Sequence, residues 1–262
     1  MKRYICIVLL FLSCGSPYQP NNNYPIVLVQ LSDTEQINQR QLAETLSALQ
    51  SAQIKAVLLK PIIENVTDST LITAFKENHF PVYSSATIVE EKPSTIINED
   101  SLLTKTSFLL LKNNQKYGKF PDLALKPFLK GVGIETGAFR NNGKLESYHV
   151  VNSINGKSFA SLALLLVSDL FELDLNQMSP KNIRLSKTGA RPILFSDPKS
   201  AYQHISANEI IDGTFDMQSL QYPIVIIYQN TEEVQTLGGI KTKAEITADV
   251  VNQLLIELST RL

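Results

Sequence analysis

The stretch that decides the fold is residues 26–59, IVLVQLSDTEQINQRQLAETLSALQSAQIKAVLL. Residues 26–31 are a continuous apolar run of strand length. From Leu42 onward, leucines recur at the i, i+4 and i+7 spacing of one helix face, and residues 55–59 form a second apolar run. This order predicts a buried strand, an amphipathic helix and a second buried strand.

The same alternation continues toward the C-terminus for one more helix and strand. Asp68 stands where a helix N-cap is expected, because apolar residues at helical spacing follow it. Residues 81–84 then read as a third short strand. Three strands separated by two helices predict a βαβαβ unit, which folds into a parallel sheet with right-handed crossovers.

The middle of the chain differs in pattern from this unit. Asn142-Gly143 stands between two alternating runs and is a strong hairpin signal, so the sequence predicts added antiparallel strands. Residues 158–173 are heavily apolar and predict a long, largely buried helix. The strand-like segments predicted in this region are residues 108–111, 131–134 and 145–151.

The C-terminal part begins with a loop-rich stretch, residues 174–222. Residues 224–227 are the most β-branched run in the chain and predict a buried strand, followed by a closing helix with apolar positions around Leu255. The predicted fold is α/β: residues 25–262 form one three-layer domain with a mixed, largely parallel sheet and an inserted hairpin.

Composition excludes several classes of protein. The chain has 262 residues, of which 44% are hydrophobic and 19% charged, so it is neither disordered nor a polytopic membrane protein. It has 24 basic against 25 acidic residues. Without an excess of positive charge to neutralise phosphates, nucleic acid is not an expected partner.

The N-terminus carries the pattern of a secretory signal. Lys2 and Arg3 precede an apolar run, residues 4–12, which is too short to cross a bilayer as a helix. The run ends in a segment that resembles a bacterial lipobox, so we expect residues 1–13 to be removed, Cys14 to be acylated and residues 14–24 to form a flexible tether. The alternative is an ordinary signal peptide that contains a cysteine.

No complete catalytic or cofactor motif occurs in the sequence. Gly156-Lys157-Ser158 resembles the end of a P-loop, but Val151 stands where the motif requires its first glycine. His79, His149 and His204 are far apart, and none has the spacing of a metal-ligand pair, which favours packing or surface roles. We therefore predict no catalytic residue, no metal and no cofactor, although the acids leave a carboxylate-dependent hydrolase open.

A ligand site is expected where parallel strands end, because open α/β sheets bind ligands outside the carboxyl ends of their strands. Asp33, Asp68, Tyr228 and Asp249 are the candidate ligand-binding residues. The alternative is that the three aspartates are helix caps and surface charges. The predicted strand ends are Ser32 and Asp33, Lys60, Ser84 and Ser85, and Tyr228 with Asn230.

The order of these elements resembles the CHASE type-two domain, an extracytoplasmic sensory domain associated with cyclases and histidine kinases. The similarity lies in the order of several strings over residues 25–259. These strings are Val29-Gln-Leu-Ser-Asp33, Lys55-Ala-Val57, Asp68 with Leu71, Gly131-Val-Gly133, Asn142-Gly143, Ser158-Phe-Ala-Ser-Leu-Ala163, Ile205-Ser-Ala-Asn-Glu-Ile-Ile-Asp-Gly213, Ile224-Val-Ile-Ile227 and Glu245-Ile-Thr-Ala-Asp-Val-Val251.

This chain departs from that family at polar positions, which implies a different ligand or none. The departures are Ser32, Lys60 and Asn142 in place of acids, Tyr228 in place of a glycine, and Thr247 and Asp249 in place of a histidine and an asparagine. The family's domains also usually precede transmembrane helices and an output domain, and we expect neither in this chain.

The resemblance implies a lipid-anchored extracytoplasmic sensory or ligand-binding module without catalysis. Its expected partners are the membrane, through the lipid on Cys14, an unknown small ligand, and an envelope or transmembrane signalling protein. Two alternatives stay open: a cell-envelope hydrolase or transferase with an unrecognised site, and a purely structural envelope lipoprotein.

Overall fold

The fold is that of a computed structural model of the chain. The predictions for residues 1–23, including acylation of Cys14, lie outside the described residues, as do those for residues 108–111 and for Asn142 and Asn230. The structure describes residues 24–34, 36–89, 105–106, 117–139, 143–154, 157–178, 180–196, 202–229 and 233–260.

The N-terminal third confirms the predicted βαβαβ unit. The side chain of Asn38 caps α1 by accepting from the Gln41 N–H, and Asp68 caps α2 by accepting from the Thr70 N–H. The third strand runs five residues beyond its predicted end at Ser84. The elements are β1 (Ile26–Gln30), α1 (Gln39–Leu49), β2 (Ala56–Leu59), α2 (Ser69–Glu77) and β3 (Val82–Val89).

The middle region is rich in short strands, as its pattern predicted. The strands β7 and β8 pair in antiparallel fashion, and Gly143 in their connection has a φ of 75°, which favours glycine. A six-residue 3₁₀ segment, Leu123–Phe128, precedes β6. The strands are β4 (Lys105–Thr106), β5 (Tyr117–Lys119), β6 (Gly131–Ile134), β7 (Gly137–Phe139), β8 (Leu145–His149), β9 (Val151–Ile154) and β10 (Lys157–Ala160).

Two predictions for this region were wrong. The strand β6 is not one of the antiparallel additions, because it pairs with β3 in parallel. The helix predicted over residues 158–173 is shorter: α3 spans Leu162–Leu170, capped by Ser161, and the residues before it pair with β9 as strand β10. A short apolar run fits a buried strand as well as a buried helix, so periodicity alone did not separate the two.

The C-terminal part holds more regular structure than its loop-rich pattern predicted. The polar strand β12 lies within residues 174–222 and forms one edge of the main sheet. Short 3₁₀ turns, Pro180–Ile183 and Met217–Ser219, also lie there. The elements are β11 (Ala190–Pro192), β12 (Gln203–Ser206), α4 (Ala207–Ile211), β13 (Ile224–Tyr228), β14 (Glu233–Thr236), β15 (Gly239–Thr242) and α5 (Lys243–Ser259).

Six parallel strands form the central sheet, in the order β12-β1-β13-β2-β3-β6. The strand β13 lies between β1 and β2, so the most β-branched segment occupies the centre. All five of its residues are buried. Strand β5 pairs with the far end of β3 in antiparallel fashion, which makes the sheet mixed but largely parallel, as predicted.

Helices cover both faces of this sheet. The helices α1, α2 and α4 pack on one face, over the alternate residues that include Val27, Val57 and Val225. The helices α3 and α5 pack on the other, over Leu28, Leu58 and Ile226. This arrangement confirms the predicted α/β fold with three layers.

The closing helix α5 is buried nearly all round rather than on one face. Its polar residues Thr247, Asp249 and Asn252 are each at most 1% exposed. A smaller mixed sheet of β7, β8, β11, β14 and β15 contacts α5 through β15 and shares its apolar core. The strands β4, β10 and β9 form a third, three-stranded sheet.

Across the part of the chain that the structure describes, no helix combines the length and the apolar character needed to cross a bilayer.

Candidate functional site

Polar side chains follow one another across the carboxyl edge of the parallel sheet. Gln30 is level with Tyr228 in the pairing of β1 and β13, and Lys60 comes one position after Leu59, which pairs with Ile227. On these strands the preceding residues of the same face, Leu28, Leu58 and Ile226, are buried apolar core. The sheet therefore changes from apolar to polar at this edge, on the face covered by α5.

Lys60 and four residues around it form a group that we call the edge cluster: Lys60, Ser85, Glu135, Tyr148 and Thr247. The Lys60 ammonium forms an ion pair with the Glu135 carboxylate and donates to Thr247 Oγ1 at 2.8 Å. Thr247 Oγ1 and the Tyr148 hydroxyl each lie 2.9 Å from Glu135 Oε1 and donate to it. Ser85 Oγ donates to the Lys60 carbonyl oxygen at 2.5 Å.

The elements of the fold bring these residues together from distant parts of the sequence. Lys60 follows β2, Glu135 follows β6, Tyr148 lies in β8 and Thr247 lies in the second turn of α5. Close packing near β6 depends on Gly133, because a Cβ there would lie 2.2 Å from the backbone nitrogen of Leu162 at the start of α3. Among the helices, only α5 contributes a side chain to the edge cluster, so the Thr247 contacts require α5 to be docked on the sheet.

The electrostatics of the edge cluster are set by burial. The Lys60 and Glu135 side chains are 13% and 11% exposed. Burial, together with the positive charge of Lys243, lowers the pKa of Lys60 to about 7. Burial also raises the pKa of Tyr148, so its phenol stays protonated and acts as a hydrogen-bond donor.

A second polar group, His204 with Tyr228 and Glu245, lies on the same face. His204 Nδ1 is 3.2 Å from the Tyr228 hydroxyl, and its Nε2 is 3.5 Å from Glu245 Oε1. Burial raises the pKa of Glu245, but hydrogen bonds from His204 and from Thr242 outweigh burial and hold that pKa below its usual range. Burial, with the charge of Glu245, raises the pKa of Tyr228.

Among the predicted site residues, the structure places Tyr228 and Asp33 at the carboxyl edge. Tyr228 ends β13 and contacts His204, as described above. Asp33 lies in the exposed loop after β1. Ser84 and Ser85 lie within β3 rather than at its end, and Ser85 belongs to the edge cluster.

Asp68 lies away from the edge cluster, on the opposite face of the sheet. It accepts hydrogen bonds from the Thr70 hydroxyl and backbone N–H, which lower its pKa. It lines an open groove between α1 and α2, together with Arg40. Helix capping accounts for its position.

Asp249 is neither a helix cap nor a surface charge. It and Lys241 form a fully buried ion pair with a separation of 2.8 Å. The Asp249 carboxylate also accepts from the hydroxyls of Ser196, at 2.5 Å, and Tyr202, at 2.8 Å. This network joins α5 to β15 and to the segment after β11.

Sequence reasoning missed Glu135, Tyr148 and Thr247 as site residues, and it assigned His204 a packing or surface role. Glu135 directly follows a predicted strand, so the strand-end rule would have found it if β6 had been assigned to the parallel sheet. Tyr148 carries no such signal, because only tertiary packing brings it to this edge. Thr247 had one weaker signal, since it is a polar departure from the CHASE type-two pattern.

Within the ranges that the structure describes, no group of three or more histidine, cysteine or acidic side chains is arranged to hold a metal ion. Comparison with known proteins finds no family model, no curated protein and no solved structure that matches the chain.

Proposed function

We propose that this chain is a lipid-anchored extracytoplasmic sensory or ligand-binding module that acts through a partner protein. The observation that carries the proposal is the edge cluster at the carboxyl ends of the parallel strands, with Tyr228 and His204 beside it. Open α/β sheets bind their ligands at this edge. The Lys60 and Glu135 side chains of the edge cluster are partly exposed to solvent, so a small ligand could reach them and form hydrogen bonds with them.

The departures from the CHASE type-two pattern support this location. Lys60 and Thr247, which replace an acid and a histidine of that pattern, contact each other at 2.8 Å. Tyr228, which replaces a glycine, lies on the strand next to β2 and on the same face. Three substituted positions thus share one edge, as expected if the ligand differs from the family's.

Thermal unfolding of the full chain in the presence of metabolite mixtures tests the binding proposal. A ligand that binds only the folded state at a hundredfold excess over its dissociation constant adds about 2.7 kcal/mol of stability and raises Tm. We expect at least one mixture to raise Tm, and Lys60→Met to abolish the rise. Lys119→Met, at an exposed lysine paired with Glu64, is the control and should retain it.

Two results would count against binding at this edge. If no mixture raises Tm, the module has no small ligand among those tested classes and the proposal fails. If the rise persists in Lys60→Met, a ligand exists but binds elsewhere.

The membrane part of the proposal depends on Cys14. A single acyl chain holds a protein only marginally, whereas the several chains of a bacterial lipoprotein hold it stably. Cys14→Ala should therefore release the protein from the membrane fraction or leave an uncleaved precursor. Unchanged processing and membrane attachment in that variant would contradict the anchor.

A further inference from the structure

Lys60 is more buried than a surface lysine, and its backbone is fixed by a hydrogen bond. It directly follows a buried strand, and the Ser85 hydroxyl holds its backbone by donating to its carbonyl oxygen. Its side chain is 13% exposed, against 50% for Lys119. The amine is thus fixed at the carboxyl edge with a small part of its surface open.

Glu135 is placed to exchange a proton with this amine. One carboxylate oxygen contacts the Lys60 ammonium, and the other accepts from the Tyr148 hydroxyl and from Thr247 Oγ1, both at 2.9 Å. These two donors orient the carboxylate without neutralising it. A base in contact with an amine, itself oriented by a third group, is the arrangement of an activated nucleophile.

We infer that Lys60 is a nucleophilic amine that captures a small aldehyde or ketone as an imine. The inference rests on the proposed function and names its ligand class as a carbonyl compound. Burial and Lys243 lower the pKa of Lys60 to about 7, so that a substantial fraction of the amine is unprotonated at neutral pH. The limited exposure of the amine restricts the ligand to a small molecule.

The chemistry balances without an oxidant or a reductant. Glu135 accepts a proton from the ammonium, and the free nitrogen lone pair attacks the carbonyl carbon, whose π electrons move to oxygen. Glu135 returns that proton to the oxygen and then takes one of the two protons left on the nitrogen, which gives a neutral carbinolamine. The nitrogen lone pair then forms the double bond to carbon as the hydroxyl group leaves, and the proton held by Glu135 joins it to complete a molecule of water. One proton stays on the nitrogen, so the product is a protonated imine and the charge is conserved.

Reductive trapping on the full chain tests the inference. Propionaldehyde and cyanoborohydride convert an imine into a stable propyl-lysine, which peptide mass spectrometry locates. At pH 7 we expect Lys60 to be labelled at least tenfold faster than Lys119. The rate at Lys60 should level off above about pH 7. Equal rates, or a Lys60 rate that rises through pH 9, would overturn the inference.

Matched carboxylate variants test the proton transfer. Glu135→Gln should lower the plateau rate at Lys60 at least tenfold, because the plateau reports chemistry after the amine is fully deprotonated. Glu64→Gln removes the exposed partner of Lys119, 3.0 Å away, and should leave the Lys119 rate unchanged. An unchanged plateau in a folded Glu135→Gln protein would remove Glu135 from the mechanism and contradict the inference as stated.

The trapping result is separable from the proposed function. A metabolite that raises Tm while Lys60 is labelled no faster than Lys119 leaves ligand binding supported and eliminates imine formation. Labelling selective for Lys60, together with a Tm rise that Lys60→Met abolishes, supports both.

Discussion

Asp249 and Lys241 form an ion pair in which both side chains have 0% exposure. Removing one partner of such a pair leaves the other charge buried and unpaired, which costs about 3–5 kcal/mol. Asp249→Asn should therefore lower the free energy of unfolding by about that amount in urea denaturation. Glu44→Gln, at the exposed pair with Arg40, is the control and should change it by at most about 1 kcal/mol.

If Asp249→Asn does not fold, a second variant still tests the contribution of the ion pair. Lys241→Met with Asp249→Leu removes both charges and should recover much of the lost stability. A loss below about 1 kcal/mol in Asp249→Asn would show that the pair does not hold α5 to β15.

The sequence could not have identified this pair. Charged residues of a helix normally lie on its solvent face, so the sequence favours a helix cap, a surface charge or a ligand contact for Asp249 and not a buried ion pair. Its burial follows from the smaller sheet that covers α5. The strands of that sheet come from distant parts of the sequence between residues 137 and 242, so no local sequence pattern predicts the sheet.

The pKa of Lys60 predicts a pH dependence of stability. The unfolded chain keeps the Lys60 proton up to about 10.5, whereas the folded chain loses it near 7. Between these values the unfolded state binds more protons, so the contribution of Lys60 to the free energy of unfolding increases with pH. We expect the stability of the wild type, relative to a Lys60→Met, Glu135→Gln double variant, to rise from pH 7 to pH 9.5.

Urea titrations of both proteins at each pH provide the measurement. The double variant removes both charges, so the difference isolates the titration of the pair. A difference that stays constant or falls over this range would show that the pKa of Lys60 is not lowered in the folded state.

At the scale of elements, the contact between β6 and α3 depends on Gly133. A Cβ at this position would lie 2.2 Å from Leu162 N and 2.5 Å from Leu162 Cα, which are backbone atoms that cannot move aside alone. Gly133→Ala should therefore cost about 3 kcal/mol or more, since the helix must shift from the sheet. Thermal unfolding and urea denaturation measure the loss.

Gly143→Ala is the matched control for this prediction. A Cβ at Gly143 meets nothing within 4 Å, so only the positive φ opposes the substitution, at about 1 kcal/mol. Equal losses in the two variants would show that the α3–β6 contact adjusts freely.

Helices and strands with regularly spaced or continuous apolar residues were predictable from the sequence, and those without such a pattern were not. The leucine spacing of α1 and the apolar runs of β1, β2 and β13 are local signals, and the structure confirms each. The strand β12 is four residues long and mostly exposed, so it has neither length nor alternation to reveal it. The boundary between β10 and α3 falls inside one apolar run, where the spacing of apolar residues does not distinguish a strand from a helix.

At the scale of the molecule, the sequence predicted that Lys60 ends a strand of the parallel sheet, but it did not predict which side chains meet there. The rule for parallel sheets selected the carboxyl edge, and Lys60 and Ser85 were named there as strand ends. The partners of Lys60 lie 75 positions away at Glu135 and 187 away at Thr247. Such separations depend on strand order and helix docking, which the sequence did not show.

Hydrogen exchange on the full chain, with and without a metabolite that raises Tm, tests most directly whether the carboxyl edge is the ligand site. The account predicts slower exchange in the segments around Lys60, Glu135, Tyr228 and the first turns of α5, because a bound ligand suppresses local opening there. Protection confined instead to the groove between α1 and α2, around Asp68, would contradict it.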